Sequence, residues 1–473
     1  MMRDRSRRTA RKQRGAAFIL SVFILTIVGV SAFIAMTRGS RGEIESERVT
    51  TAALAEAKAA LLGYAAGVPL TGPERPGDMP CPDLDNDGDA DPPCATEARS
   101  LGRLPWRTLG LRDLRDGSGE RLWYAVSARF RNNPRSSCAS PTDVNCLNSD
   151  SRGTLTVRMH DGVVLANGMN PDPFLPSGAI AVILAPGSVL TRQGAAQSQV
   201  RACVVGTNCE ASGRCTTATA TDTPTCNPVN YLDVAVTGSA EDNADFIEES
   251  ANGFIMGPIR TGSDVIVNDR IALVTHQDLM PLLEQRVVRE VRNCLDQYAT
   301  NNNGRYPWAA DTTATGTAND FADVDNTRAG RIPDTMAITS TTSGSPAMSD
   351  SWPVGCPIIV GNWWMNWKLH VFYSVADSFK PGSTVPTLPC MNCLTIDTAN
   401  GLVPDARYFT AIAGIRLATV NSGQPRGSAG ERSNPANYLE GENNFTALVP
   451  PDTPEWFRSR SASTSFNDVT LFK

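Results

Sequence analysis

The first apolar feature of the chain is unbroken. In "RKQRGAAFILSVFILTIVGVSAFIAM" (11–36), Ala16 to Met36 holds 21 residues without a charge. As a helix that run spans roughly 31 Å, about one bilayer core. Beyond it the period becomes that of an amphipathic helix. Leu54, Ala57, Leu61 and Tyr64 are spaced by 3, 4 and 3, which predicts a helix over 43–66, with Gly39 and Gly42 loosening the join. A second stripe, Leu283, Val287, Val291, Leu295 and Tyr298, predicts a helix over 278–300. Thr275 or His276 stands at its start, and Asn301-Asn302-Asn303-Gly304 stops it. Short segments rich in Val, Ile, Tyr and Phe, separated by turn residues, come after each helix and predict antiparallel strands. A long amphipathic helix must cover its stripe, so each is expected to lie on a sheet.

The segments downstream of the two helices resemble each other. "LLGYAA" (61–66) matches "LDQYAT" (295–300), "DLDN" (83–86) matches "DVDN" (323–326), and "GRLP" (102–105) matches "GRIP" (330–333). "WYAVSARF" (123–130) pairs with "FYSVADSF" (372–379), and "AIAVILA" (179–185) with "AIAGIRLA" (411–418), allowing one insertion. "NPVNYLD" (227–233) pairs with "NPANYLE" (434–440), and "VNDRIALV" (267–274) with "FNDVTLF" (466–472). Seven landmarks in one order read as an internal duplication. The expected fold class is α+β: an N-terminal transmembrane or assembly helix, then two duplicated helix-plus-antiparallel-sheet units stapled by disulfides. The expected boundaries are a basic leader at 1–15, the apolar helix and join at 16–42, unit 1 at 43–275 and unit 2 at 276–473.

Charge changes the picture at the N-terminus. Arg3, Arg5, Arg7, Arg8, Arg11, Lys12 and Arg14 face a single Asp4, a balance that keeps this end cytoplasmic and sends the body outward. The remaining chain carries 36 Lys+Arg against 48 Asp+Glu, which argues against a nucleic-acid partner. With 473 residues, 41% of them hydrophobic, the body holds enough apolar material for two or three cores. Three readings of 11–36 compete on the residues alone. Val30-Ser31-Ala32 fits a signal-peptide site, although the apolar run continues past it. A plain membrane anchor also fits. The third reading turns on Gly15.

A short basic leader ending in glycine directly before an apolar helix resembles the processing site of type IV prepilins and type II secretion pseudopilins. "LDQYATNNNGRYP" (295–307) is similar to the helix end of major pseudopilins, and "DGSGERLWYAVS" (116–127) is similar to their Asp-x-x-Gly-Asn-x-(x)-x-Tyr loop, with Ser118 where those proteins usually carry Trp. The resemblance implies cleavage between Gly15 and Ala16 by a prepilin peptidase and packing through a helix that includes Phe18 and Leu20. Other pilin or pseudopilin subunits would be the partners, and the location a bacterial inner membrane, single-pass with a periplasmic body. It also implies a position. Most of that family carry glutamate where Leu20 stands, to neutralise a neighbour's terminal amine in the fibre core. Leu20 offers no such pairing, and a buried unpaired charge is costly, so the resemblance places this chain at the fibre tip as a low-copy minor subunit. The alternative is a tip adhesin or a periplasmic binding protein whose helix is only an anchor.

Candidate chemistry is sparse. "CPDLDNDGDADPPC" (81–94) sets Asp83, Asp85, Asp87, Asp89 and Asp91 at alternate positions. Asp83-x-Asp85-x-Asp87-Gly88 fits the first half of a calcium loop, although Cys94 stands where an EF-hand has its bidentate Glu and the flanking prolines forbid helices. The bland alternative is a solvated acidic turn. Asp323 and Asp325 lack the Asp-Gly step, which makes a second site doubtful. Twelve cysteines in an exported body predict a disulfide framework. Cys81 and Cys94 bracket the acidic loop, and joining them would stabilise by about 3 kcal/mol. Cys138 with Cys146 and Cys390 with Cys393 occupy corresponding places and read as loop staples, which disfavours a redox role for "CMNC". Cys203, Cys209, Cys215 and Cys226 lie in an insertion and are expected to pair among themselves, leaving Cys294 with Cys356. "NWWMNW" (362–367) reads as core or sheet cover before it reads as a binding surface. The three histidines, His160, His276 and His370, are far apart, and no nucleophile–base pair or phosphate loop is present, so no enzyme activity is expected.

Overall fold

The computed structural model describes residues 42–473 outside 71–73, 132–137, 144, 170–176, 191–198, 200, 202–226, 234–241, 263, 315–320, 343–346, 357, 359–362, 385–387, 389, 391 and 446–455. The expectations for Gly15, Ala16, Phe18, Leu20, Cys203, Cys209, Cys215 and Cys226 therefore fall outside the described residues. Among the described residues no helix is long and apolar enough to cross a membrane. The fold is α+β, with several antiparallel sheets.

Among the described residues helix α1 covers 42–67, which takes in the predicted 43–66 and runs one residue past its end. Leu54, Ala57, Leu61 and Ala65 form its buried face, while Tyr64 is only half-buried. Helix α2 runs His276–Asn301. Thr275 and Asp278 make a capping box at its start, and the Gly304 N–H closes its end on Ala299 O at 2.7 Å. All five residues of its predicted stripe are buried.

Each helix meets a sheet. The first half contributes β1 (Leu101–Arg103), β2 (Trp123–Val126), β3 (Val157–Met159), β4 (Val164–Ala166), β5 (Ala181–Ala185), β6 (Phe254–Met256), β7 (Ile259–Thr261), β8 (Asp264–Val267) and β9 (Arg270–Val274). The second contributes β10 (Ala329–Arg331), β11 (Val371–Val375), β12 (Leu394–Thr398), β13 (Gly401–Ala406), β14 (Tyr408–Ile412), β15 (Trp456–Ser459) and β16 (Val469–Phe472). The four-stranded sheets have orders β1-β2-β5-β9 and β10-β11-β14-β16, both antiparallel. A three-stranded sheet accompanies each, β4-β3-β6 and β13-β12-β15, and in both the outer pair is parallel. Alternation along the strands divides the first sheet between two cores. Tyr124, Val126, Ala181 and Ile183 face the helices, whereas Trp123, Ala125, Val182 and Leu184 pack with Leu155, Val157 and Phe254.

Strand register matches two of the seven landmarks differently from the sequence strings. Trp123 stands opposite Leu184, and its counterpart Phe372 stands opposite Ala411, so "AIAVILA" (179–185) corresponds to 406–412 rather than 411–418. Asp83 bridges Arg103, but Ala310 bridges Arg331, so Ala310, not Asp323, holds the place of Asp83. Short Ala- and Ile-rich strings fit several registers, and only pairing across the sheet selects one.

A polar clasp recurs beside both sheets. In the first half Asn243 Nδ2 donates to Asp269 Oδ2 at 2.8 Å, and the Asp269 N–H donates to Asp233 Oδ2 at 3.0 Å. In the second, Asn443 Nδ2 donates to Asp468 Oδ2 at 2.8 Å, and the Asn467 N–H donates to Glu440 Oε2 at 2.9 Å. Gln424 Nε2 donates to Glu440 at 2.7 Å, and Gln199 Nε2 reaches Asp233 at 3.5 Å. Burial, then the neighbouring acid, pushes both Asp269 and Asp468 well above the carboxylate range. Their Oδ1 atoms meet no donor, so nothing there offsets the burial of a charge.

The halves are tied together by a loop of the first. Asn366 Oδ1 accepts from the Leu147 N–H at 2.8 Å, and Asp150 receives Arg426 at 3.0 Å, His370 at 3.3 Å and Arg416 at 3.5 Å. Burial alone would raise the Asp150 carboxyl, but Arg426, His370 and Arg416 outweigh it and hold it far below its ordinary value. In the first half Arg201, which like Arg426 donates to a glycine carbonyl after the third sheet strand, pairs with Glu120 at 3.3 Å. With Trp123 set against Phe372, Leu369 falls where Glu120 stands, and the carboxylate that meets Arg426 is Asp150.

Candidate metal centre

The acidic loop 81–94 is held at both ends. Cys81 and Cys94 stand at disulfide distance, and Asp83 pairs with Arg103 at the start of the first sheet. Between them the backbone turns through left-handed positions at Asn86 (φ 64) and Gly88 (φ 97). Gly88 is required twice over. Its φ favours glycine, and a Cβ there would lie 2.6 Å from the Trp106 ring.

Those turns bring three of the five predicted carboxylates together. Asp83, Asp85 and Asp91 offer oxygens that all lie within 4.8 Å of one another, and Asp83 and Asp85 are buried. Asp87 and Asp89 stay outside the cluster, which corrects the expectation drawn from alternate spacing. The segment is a turn, not a strand, so every second side chain does not share a face. Asp87 Oδ1 instead accepts from the Asp89 N–H at 2.8 Å, and exposed Asp89 stands 3.8 Å from Arg107. Asp83 accepts from the Gly88 N–H at 2.7 Å and the Asp87 N–H at 3.2 Å, and Asp91 accepts from the Leu84 N–H at 2.7 Å. Burial pushes Asp83 up to about 7 against these donors, with Asp87 and Asp85 adding repulsion. Burial also raises Asp91. An all-oxygen set of crowded, half-desolvated carboxylates suits a hard divalent cation, which would relieve that repulsion. Arg121 donates to both oxygens of Asn86, at 2.9 and 2.8 Å, which fixes this residue of the turn.

The remaining candidates are structural. Cys138 with Cys146, Cys294 with Cys356 and Cys390 with Cys393 stand at disulfide distance. Trp363, Trp364 and Trp367 are buried in a short helix, Trp363–Trp367. His276 and His370 are also buried, and burial pushes both imidazoles down. The Asp116 carboxylate folds its own loop, accepting from the N–H groups of Ser118 at 2.8 Å, Glu120 at 2.9 Å and Gly187 at 2.8 Å. The residues that sequence reasoning missed are those of the clasp. Its signal was present: Gln199-Val-Arg201 and Gln424-Pro-Arg426 recur in order between two of the seven landmarks.

Comparison of the chain with protein-family models, with curated proteins and with solved structures finds no match.

Proposed function

We propose that the chain is a membrane-anchored, pilin-like structural subunit, built of two duplicated units and placed at the tip of a type IV pilus or type II secretion pseudopilus. The observation that carries the reading is α1. Its buried Leu54, Ala57 and Leu61 share one core with Tyr124, Val126 and Ile183 of a four-stranded antiparallel sheet, and the helix lies downstream of the uncharged run. A helix so placed can rigidly couple a membrane segment to a folded head. The loop at 116–119, on which the family resemblance partly rests, packs beside that helix, with the Gly117 N–H donating to Thr50 Oγ1 at 2.9 Å. The matched strand orders and the recurrent clasp support duplication. The same reading assigns calcium to Asp83, Asp85 and Asp91, where it would staple the loop after α1 to the first sheet.

The test is the mature N-terminus of the protein extracted from membranes. Mass analysis is expected to find Ala16 as the first residue. A terminus at Phe33 establishes an ordinary signal peptide, and a retained Met1 or Met2 supports the plain anchor; either outcome sinks the pilin reading. The tip position is tested by immunogold labelling of sheared fibres, where labelling along the shaft would rule it out.

A further inference from the structure

A cleft of about 710 Å³ opens between the first half of α2 and the edge strand β16. Its walls have counterparts in the first half of the chain. Aligning "LLGYAA" with "LDQYAT" places Ser46, Glu47 and Thr50 of α1 at the positions of Met280, Pro281 and Glu284 of α2. Sheet register places Gly187 at Gly414 and Arg270 at Val469. All five second-half residues line the cleft. In the first half the same position is filled by the chain's own turn Asp116-Gly-Ser-Gly119. The Gly117 N–H donates to Thr50 Oγ1 at 2.9 Å, and Asp116 Oδ2 accepts from the Gly187 N–H at 2.8 Å. A Cβ on Gly117 would lie 2.1 Å from Ser46 O, so only glycine fits against the helix. In the second half the segment at that place in the sequence is the Trp-rich helix, which packs instead against the 147–148 loop.

We infer that the cleft between α2 and β16 is a docking seat for a tight, aspartate-led glycine turn of a second polypeptide. This goes beyond a role as a fibre subunit and does not depend on it. Volume alone suits a small molecule equally well. What selects a turn is the first half, where the equivalent seat takes one. The seat differs in one contact. Glu284 replaces the Thr50 hydroxyl, and a carboxyl oxygen takes the place of Thr50 Oγ1 as acceptor of the turn's N–H.

The probe is a peptide of residues 113–121, DLRDGSGER, titrated into the full-length, methyl-labelled protein in detergent. The expected result is saturable shifts at Met280, Val288, Val469 and Leu471, with a Kd on the order of 1 mM. Changing the peptide aspartate that corresponds to Asp116 to alanine should weaken binding about tenfold. Gln285→Trp, at the exposed mouth, should abolish it while leaving methyl shifts elsewhere unchanged. Absence of shifts, or equal shifts with a scrambled peptide, overturns the inference. In cells, a photocrosslinker at position 285 is expected to map to a glycine turn of another polypeptide. Crosslinks confined to this chain, or none, overturn the inference as well.

Discussion

Glu284→Gln isolates the pH-dependent contribution that one buried side chain makes to this fold. Glu284 lies on the buried face of α2 at 5% exposure. Burial pushes its carboxyl from an ordinary 4.5 to about 7, partly opposed by the Ser149 hydroxyl and Arg426 and assisted by Asp150. His276 and Arg289 complete its surroundings in the cleft. Below about pH 4 the acid is protonated whether the chain is folded or not, and glutamine should change little. Between about 4.5 and 7 the folded state keeps a proton that the unfolded chain has released, so stability falls as pH rises. Above 7 the full cost is reached, roughly 2.5 pKa units or about 3 kcal/mol. Glutamine keeps the shape and never ionises. The variant should therefore match the parent near pH 4 and exceed it by about 3 kcal/mol at pH 8. Asp78, pushed up to about 6 by burial, and the acids of the two clasps slope the same way, so the informative quantity is the variant-minus-parent difference. Urea unfolding followed by tryptophan fluorescence across pH 4–8 measures it. A difference that does not change with pH, or a variant weaker at pH 8, would refute the reasoning.

Two further perturbations test the metal centre and the tie between halves. Chelation of calcium should lower the melting temperature, because a cation held at 100 times its Kd adds about 2.7 kcal/mol to the folded state. Asp83→Asn with Asp85→Asn should erase the difference. Trp106, packed on Gly88, should change its fluorescence with calcium in the parent only, and identical melting curves with and without chelator would dismiss the site. Asp150→Asn should cost about 3–5 kcal/mol, because Arg426 is 5% exposed and loses its countercharge. Urea unfolding reads it, and a loss below about 1 kcal/mol, as for a surface pair, would show that solvent already screens the contact.

Much of this architecture was legible because its signals are periodic. The α2 stripe from Leu283 to Tyr298 is buried as spaced, since a 3.6-residue period is a property of the segment alone. Strand landmarks were legible where they carried bulky, distinctive residues, as in "WYAVSARF" and "FYSVADSF". They failed where local likeness competed with pairing. "AIAGIRLA" resembles "AIAVILA" more closely than 406–412 does, yet the strand opposite Phe372 is the latter. The metal centre failed in a similar way. Five aspartates at alternate positions suggest a common face, but two left-handed residues turn the chain and leave three together. The clasp was the least legible feature, because Gln424, Glu440 with Asn443, and Asp468 come from three separate segments. What joins them is the need to satisfy polar groups against one another in a buried place.

That need also sets how the two halves depend on each other. In the first half Arg201 finds Glu120 within its own sheet connection, so its charge is met locally. In the second half Leu369 stands at the corresponding place and can meet nothing. Arg426 would then be buried without a carboxylate, a state costly enough to disfavour folding by itself. Asp150 removes that cost, and its segment is held from both sides: Arg75 of the first half donates to Asn145 O, while Asn148 Nδ2 donates to Asn366 O at 3.1 Å and Ser149 O meets His276 at 2.8 Å in the second. Lys58 with Asp278 at 2.8 Å and Arg286 on Ala66 O at 2.6 Å add contacts from α1 to α2. The second half therefore reaches its final packing only on a folded first half. A chain so arranged should unfold in one transition, and Asp150→Asn should separate that transition into two, the second half melting first.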